Sequence, residues 1–71
     1  MFTVYRPYFD AILAGTKTIE FRDAKKPWLA YLDRMPDEAW FLCGNRKARF
    51  EIEGVVLWAG RLEFRIGRRL E

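Results

Sequence analysis

The chain has 71 residues, a hydrophobic content of 51%, an aromatic content of 17% and a formal net charge of +3. This length allows one small domain, whose limited core the aromatic side chains reinforce, because each of them buries roughly 150–250 Å². With no histidine and only one cysteine, Cys43, the sequence excludes histidine triads, histidine metal sites and an internal disulfide. We expect neither a metal nor another cofactor.

The start of the chain lacks the basic and apolar regions of a signal peptide, and no apolar run approaches the ~18 residues of a membrane span. We therefore expect a cytoplasmic protein with no membrane partner. Residues 1–45 carry six basic and six acidic side chains, whereas residues 46–71 carry seven basic and four acidic ones. This imbalance favours an anionic partner.

The first predicted elements are a strand and a helix. Aromatic and β-branched residues predict a strand over residues 2–5. Pro7 suits the first turn of a helix over residues 7–14, because its missing N–H is no loss there. Gly15 suits the left-handed cap that commonly ends a helix.

A second strand is predicted over residues 18–22, where apolar and polar side chains alternate. Ile19 and Phe21 are expected to enter the core. Glu20 and Arg22 then lie side by side on the opposite face.

The remaining elements follow from spacing and turn residues. Apolar positions at helical spacing predict one or two helical turns within residues 28–32, and an apolar run predicts a strand over residues 39–43. Alternating patterns predict two further strands, one that begins at residue 48 and one over residues 61–66. Gly54 is expected to interrupt the first of these at a bulge or bend, after which residues 55–58 resume the strand.

These elements predict a single α+β domain over residues 1–71. Its sheet is small, curved and mostly antiparallel, or a partial β-barrel, with about five strands and one or two short helices. The predicted core residues are Ile19, Phe21, Phe50, Ile52, Leu62, Phe64 and Ile66.

The segment YFDAILAGTKTIEFR, residues 8–22, has a Gly-x-Lys-x-x-Glu-x-Arg pattern at Gly15, Lys17, Glu20 and Arg22. This pattern resembles the signature of the ASCH family. The closing segments ARFEIEGV and GRLEFRIGRRL also resemble the last strands of ASCH domains. The resemblance implies a PUA-like β-barrel that binds RNA or a modified nucleotide.

The polar residues of the pattern suit such a ligand. Arg22 offers a planar fork to phosphate or a base edge, and Lys17 offers a point charge. Glu20 either orients Arg22 or accepts a hydrogen bond from an exocyclic amine, as carboxylates do with cytosine. Trp28 is a candidate for stacking on a base. The alternative is that Glu20 and Arg22 form an ordinary surface ion pair, worth ~0–1 kcal/mol.

Near the end of the chain, Arg65, Arg68 and Arg69 are candidates for a phosphate track beside the binding cleft. The alternative for these arginines is that they only keep the protein soluble. For Trp28, the alternative to stacking on a base is a place in the core.

Two other functions stay open. Some ASCH relatives are amidohydrolases that act on acetylated cytidine through Lys-x-x-Thr-x-Arg. Lys17 matches their lysine, but Glu20 replaces their threonine nucleophile, so we do not transfer that activity or assign catalytic residues. A nucleic-acid-processing enzyme of ribonuclease or amidohydrolase type would have Lys17 and Glu20 for proton transfer. The other alternative is a short ASCH-like factor, encoded by a phage or prophage, that binds a host protein.

Overall fold

Five strands and two short helices make up the fold, which the computed structural model describes over residues 1–71. The strands are β1 (Phe2–Thr3), β2 (Ile19–Asp23), β3 (Glu38–Cys43), β4 (Arg46–Trp58) and β5 (Arg61–Arg69). The helices are α1 (Arg6–Ala14), which follows β1, and α2 (Ala30–Asp33), which follows β2. Neither helix has the length and apolar character needed to cross a membrane.

The strands form one curled sheet, a half-barrel, in the order β1-β3-β4-β5-β2. β1 pairs with β3 in parallel, and the other three pairings are antiparallel. The predicted α+β class, with a curved and mostly antiparallel five-stranded sheet, is thus confirmed. The strand predicted to continue past Gly54 is the long strand β4, and its pairing with β5 shifts register between Phe50 and Gly54, next to the expected bulge.

Thirteen buried hydrophobic residues form the core on the inner face of the half-barrel. Aromatic rings fill its centre. Phe2 stacks on Phe41 with ring centroids 5.0 Å apart and meets Phe64 edge-on at 4.9 Å. α1 contributes Phe9 and Ile12, which its helical spacing places on one side.

The orientation predicted for β2 is wrong. In the pairing with β5, Glu20 lies opposite Phe64 and Arg22 lies opposite Leu62. Side chains directly opposite each other in an antiparallel pair share one face of the sheet. Phe64 and Leu62 are fully buried, so Glu20 and Arg22 also point to the inner face, and Glu20 is only 6% exposed.

Ile19 and Phe21 therefore project from the outer face, where Phe21 is 39% exposed and Ile19 is half-buried. Alternation identified the strand, but it could not tell which of the two faces is the inner one. The remaining predicted core residues are all buried, namely Phe50, Ile52, Leu62, Phe64 and Ile66.

Gly15 ends α1 as predicted. Its φ is +81° and its N–H donates to the Ile12 carbonyl at 3.1 Å. Only glycine adopts this left-handed conformation without a steric cost from Cβ.

Gly15→Ala is therefore expected to lower the free energy of unfolding by about 1–2 kcal/mol. Gly54→Ala is the matched control, because Gly54 lies outside the left-handed region and no atom beyond its chain neighbours lies within 4 Å of its ideal Cβ position. The control should change stability by less than about 1 kcal/mol. Urea unfolding measures both variants, and equal losses would contradict the cap assignment.

Candidate functional site

An open cavity of about 740 Å³ lies between the two edge strands of the sheet, β1 and β2. These strands do not pair with each other, and the curl of the sheet brings them to opposite sides of the gap. We call this space the seam cavity. Its walls are formed by Thr3, Val4, Tyr5, Tyr8, Lys17, Glu20, Phe21 and Arg22.

Glu20 is the buried acid of the seam cavity. Its Oε2 accepts a hydrogen bond from Arg22 Nη1, and its Oε1 lies 3.4 Å from Lys17 Nζ. Lys17 directs its hydrogen bond to the Ile19 carbonyl instead, at 2.7 Å. Oε1 is therefore buried without a hydrogen-bond partner, although a positive charge is close. A buried acceptor in this state costs free energy, and a donor entering the cavity would remove that cost.

Arg22 joins the two edges of the half-barrel. Besides its contact with Glu20, Nη1 donates to the Phe21 carbonyl at 2.8 Å, and Nη2 donates to the Thr3 carbonyl at 3.2 Å. The guanidinium also lies over the rings of Phe2 and Trp28, at 5.0 and 5.1 Å from their centres. Because acceptors within the protein already receive these hydrogen bonds, Arg22 holds Glu20 in position and links β2 to β1.

Lys17 and Arg22 also protect β2 as an edge strand. Every second carbonyl of an antiparallel edge strand points away from the sheet, and in β2 these are the carbonyls of Ile19, Phe21 and Asp23. Lys17 donates to the first of these carbonyls and Arg22 to the second. Cationic side chains at such positions hinder pairing with another strand.

Positive charge predominates in the seam cavity. Two cations, Lys17 and Arg22, face one acid, Glu20, which leaves a formal charge of +1. The Met1 amino group lies near Arg22, and its burial, together with the charge of Arg22, lowers its pKa below the ordinary value. No group of three or more acidic or cysteine side chains is close enough to hold a metal ion.

Two tyrosines at the cavity wall were missed by the sequence reasoning. Tyr5 and Tyr8 are both exposed, with ring centroids 6.3 Å apart. Lys17 Nζ lies 5.2 Å from the centre of the Tyr8 ring. The available signal was the position of Tyr8, one helical turn after Tyr5 and at the start of the ASCH-like segment.

Trp28 does not line the seam cavity. Its ring stacks on Phe2 with centroids 5.2 Å apart and meets Phe64 edge-on at 6.1 Å. Trp28 therefore packs against the core and supports Arg22 from the side away from the cavity. The structure favours the core alternative for this residue.

The three C-terminal arginines also lie outside the seam cavity. Arg65 projects from the outer face opposite Ile19. Arg68 pairs with Glu51 at 2.8 Å, and Arg69 donates to the Glu71 carbonyl at 3.2 Å. Of the predicted site residues, only Lys17, Glu20 and Arg22 line the seam cavity.

Fold and cavity together define the class of this protein: a small α+β half-barrel with a charged cavity between its edge strands. A scan against protein-family models finds no match, and searches of curated proteins and of solved structures find none either.

Proposed function

We propose that the protein binds RNA or a nucleotide by holding one base in the seam cavity. The observation that carries this proposal is Glu20 Oε1, an acceptor buried at the cavity wall without a hydrogen-bond partner. An exocyclic amine of a base supplies the missing donor, in the way that carboxylates contact the amine of cytosine. Arg22 holds the carboxylate in place for this contact.

The size and lining of the cavity suit a base. Cavities for small ligands measure roughly 300–1,000 Å³ and combine apolar walls with a few placed polar groups. Here the exposed rings of Tyr5 and Tyr8 offer stacking surfaces, each worth ~1–3 kcal/mol per base. Lys17 adds positive charge on the side where these rings lie.

The ASCH-like pattern supports the same proposal. Three of its four residues, Lys17, Glu20 and Arg22, line the seam cavity. Membership of the ASCH family and a PUA-like ancestry of the half-barrel are parts of this proposal, as is the RNA or nucleotide ligand.

The proposal predicts a preference among nucleotides. CMP, AMP and GMP carry an exocyclic amine and should bind tenfold or more tightly than UMP, because a hydrogen bond to a charged group is worth ~1.5–3 kcal/mol. Affinity should fall as salt is raised, because the phosphate meets a positively charged cavity. Calorimetric titration at two salt concentrations measures both effects. Failure of every nucleotide to bind at low salt, or equal binding of UMP, would contradict the proposal.

A further inference from the structure

An aromatic surface lies on the outer face of the sheet, close to the seam cavity. Its apolar members are Phe21 on β2 and Val56 and Trp58 on β4, all exposed, and Trp58 is 66% exposed. Arg61 on β5 lies between these strands, opposite Asp23 on one side and Trp58 on the other. We call Phe21, Val56, Trp58 and Arg61 the outer patch. Exposed apolar side chains grouped on one face of a sheet are candidates for an interaction surface.

Phe21 connects the outer patch to the seam cavity. It lines the seam cavity, and it also lines a second cavity of about 320 Å³ together with Arg22, Asp23 and Arg61. Because β2 is an edge strand, a flexible ligand that leaves the seam cavity reaches the outer face by crossing this one strand.

Arg61 has an unpaired guanidinium on the route from the seam cavity to the outer face. It lies 4.3 Å from the centre of the Phe21 ring, and it makes neither a salt bridge nor a side-chain hydrogen bond within the protein. Lys17 and Arg22, by contrast, donate to Glu20 or to backbone carbonyls. The Arg61 guanidinium is therefore available to donate two parallel hydrogen bonds to a phosphate that lies just outside the seam cavity.

We infer that the ligand is a single-stranded RNA segment that crosses β2, with one base in the seam cavity, the following phosphate on Arg61 and the next base stacked on Trp58. This inference rests on the proposed function for its first base. Asp23, Arg61 and Trp58 form one row across three strands, about 10 Å wide at the usual strand spacing. A sugar, a phosphate and a base together span such a row.

The charges of the outer face define the kind of binding expected there. Beside Phe21 and Trp58, Arg61 and Arg65 lie among Asp23 and Glu63, and these four charges cancel. Stacking on Trp58 therefore supplies most of the added affinity, and Arg61 supplies one phosphate contact. For one such contact, the logarithm of the affinity falls as the logarithm of the salt concentration rises, with a slope of about −0.7.

The experiment compares cytidine, which has no phosphate, with the dinucleotide CpC, in which either base fits the seam cavity. Binding is measured by NMR titration of the wild type and of Trp58→Ala and Arg61→Gln. Arg65→Gln is the matched control, because Arg65 lies on the same strand and face as Arg61 and lacks a salt bridge. All three substituted residues are exposed, and a thermal melt of each variant verifies its folding.

CpC should bind roughly tenfold more tightly than cytidine. Trp58→Ala and Arg61→Gln should each remove most of that gain and leave the affinity for cytidine unchanged, and Arg65→Gln should change neither. Cytidine binding without any gain for CpC would overturn the path across β2 and leave the proposed function standing, whereas no binding of either ligand would overturn both. A third outcome is that the protein self-associates, that Trp58→Ala abolishes this self-association, and that CpC binds no more tightly than cytidine. That outcome would show that the outer patch binds a second copy of the chain, and it would overturn the inference.

Discussion

Glu20→Gln is expected to reduce the affinity for CMP by tenfold or more and to lower the free energy of unfolding by about 2–3 kcal/mol. The variant keeps the shape of the side chain but leaves Lys17 and Arg22 without their negative partner. Removing one partner of a buried ion pair costs ~3–5 kcal/mol, and the neutral hydrogen bonds of glutamine offset part of this loss. In a domain of this size, the melting temperature should fall by roughly 10 °C or more.

The sequence alone also allowed Glu20 and Arg22 to form a surface ion pair. The loss of stability distinguishes the two cases, because breaking a surface ion pair changes the free energy of unfolding much less. Glu63→Gln is the matched control, because Glu63 projects from the outer face of β5, opposite Phe21, and has no salt-bridge partner. The control should alter stability by less than about 0.5 kcal/mol and leave CMP binding unchanged.

Both quantities are measured on the same samples, with circular dichroism for the melting temperature and calorimetry at a temperature where each variant is folded. A Glu20→Gln variant that melts much lower but binds CMP normally would make Glu20 a purely structural residue. An unchanged melting temperature would contradict the burial of the ion pair on the inner face.

Phe64→Ala is expected to lower the free energy of unfolding by about 3–5 kcal/mol. The Phe64 ring is fully buried and meets the rings of Phe2, Trp28 and Tyr31 edge-on, so its removal leaves a cavity at the centre of the aromatic core. A domain of this length has a total stability of only about 4–10 kcal/mol. The variant should therefore be partly unfolded at 37 °C.

Phe21→Ala is the control for this prediction, because it makes the same substitution on the neighbouring strand but on the outer face. We expect a loss of less than about 1 kcal/mol. Urea unfolding of the two variants tests the orientation of β2 directly. A loss for Phe21→Ala comparable to that for Phe64→Ala would restore the orientation that alternation alone had suggested, in which both rings are in the core.

Local patterns in the sequence determined most of the elements of this fold. Gly15 follows an amphipathic helix and takes the left-handed conformation that ends it. Ala59 and Gly60 form the turn between β4 and β5 with positive φ at both positions. Such features depend on residues within one or two turns of each other, and spacing along the chain is sufficient to reveal them.

The tertiary structure decided which face of β2 is the inner one. An alternating strand has two possible orientations, and hydrophobicity favours the one with Ile19 and Phe21 inside. In the opposite orientation, which the protein adopts, Arg22 and Lys17 neutralise Glu20 at the inner face, and Arg22 bridges to the Thr3 carbonyl across the seam cavity. These partners are set by the pairing of β2 with β5 and by the curl of the sheet.

The seam cavity itself also depends on tertiary structure. Lys17, Glu20 and Arg22 are close together in the sequence motif. Tyr5 joins them only because the curl of the sheet brings β1 and β2, its two edge strands, near each other. The same curl and strand pairing direct Arg65 to the outer face and leave Arg61 beside Phe21. No local pattern encodes these distances, because they arise from the register of strands that are far apart in the chain.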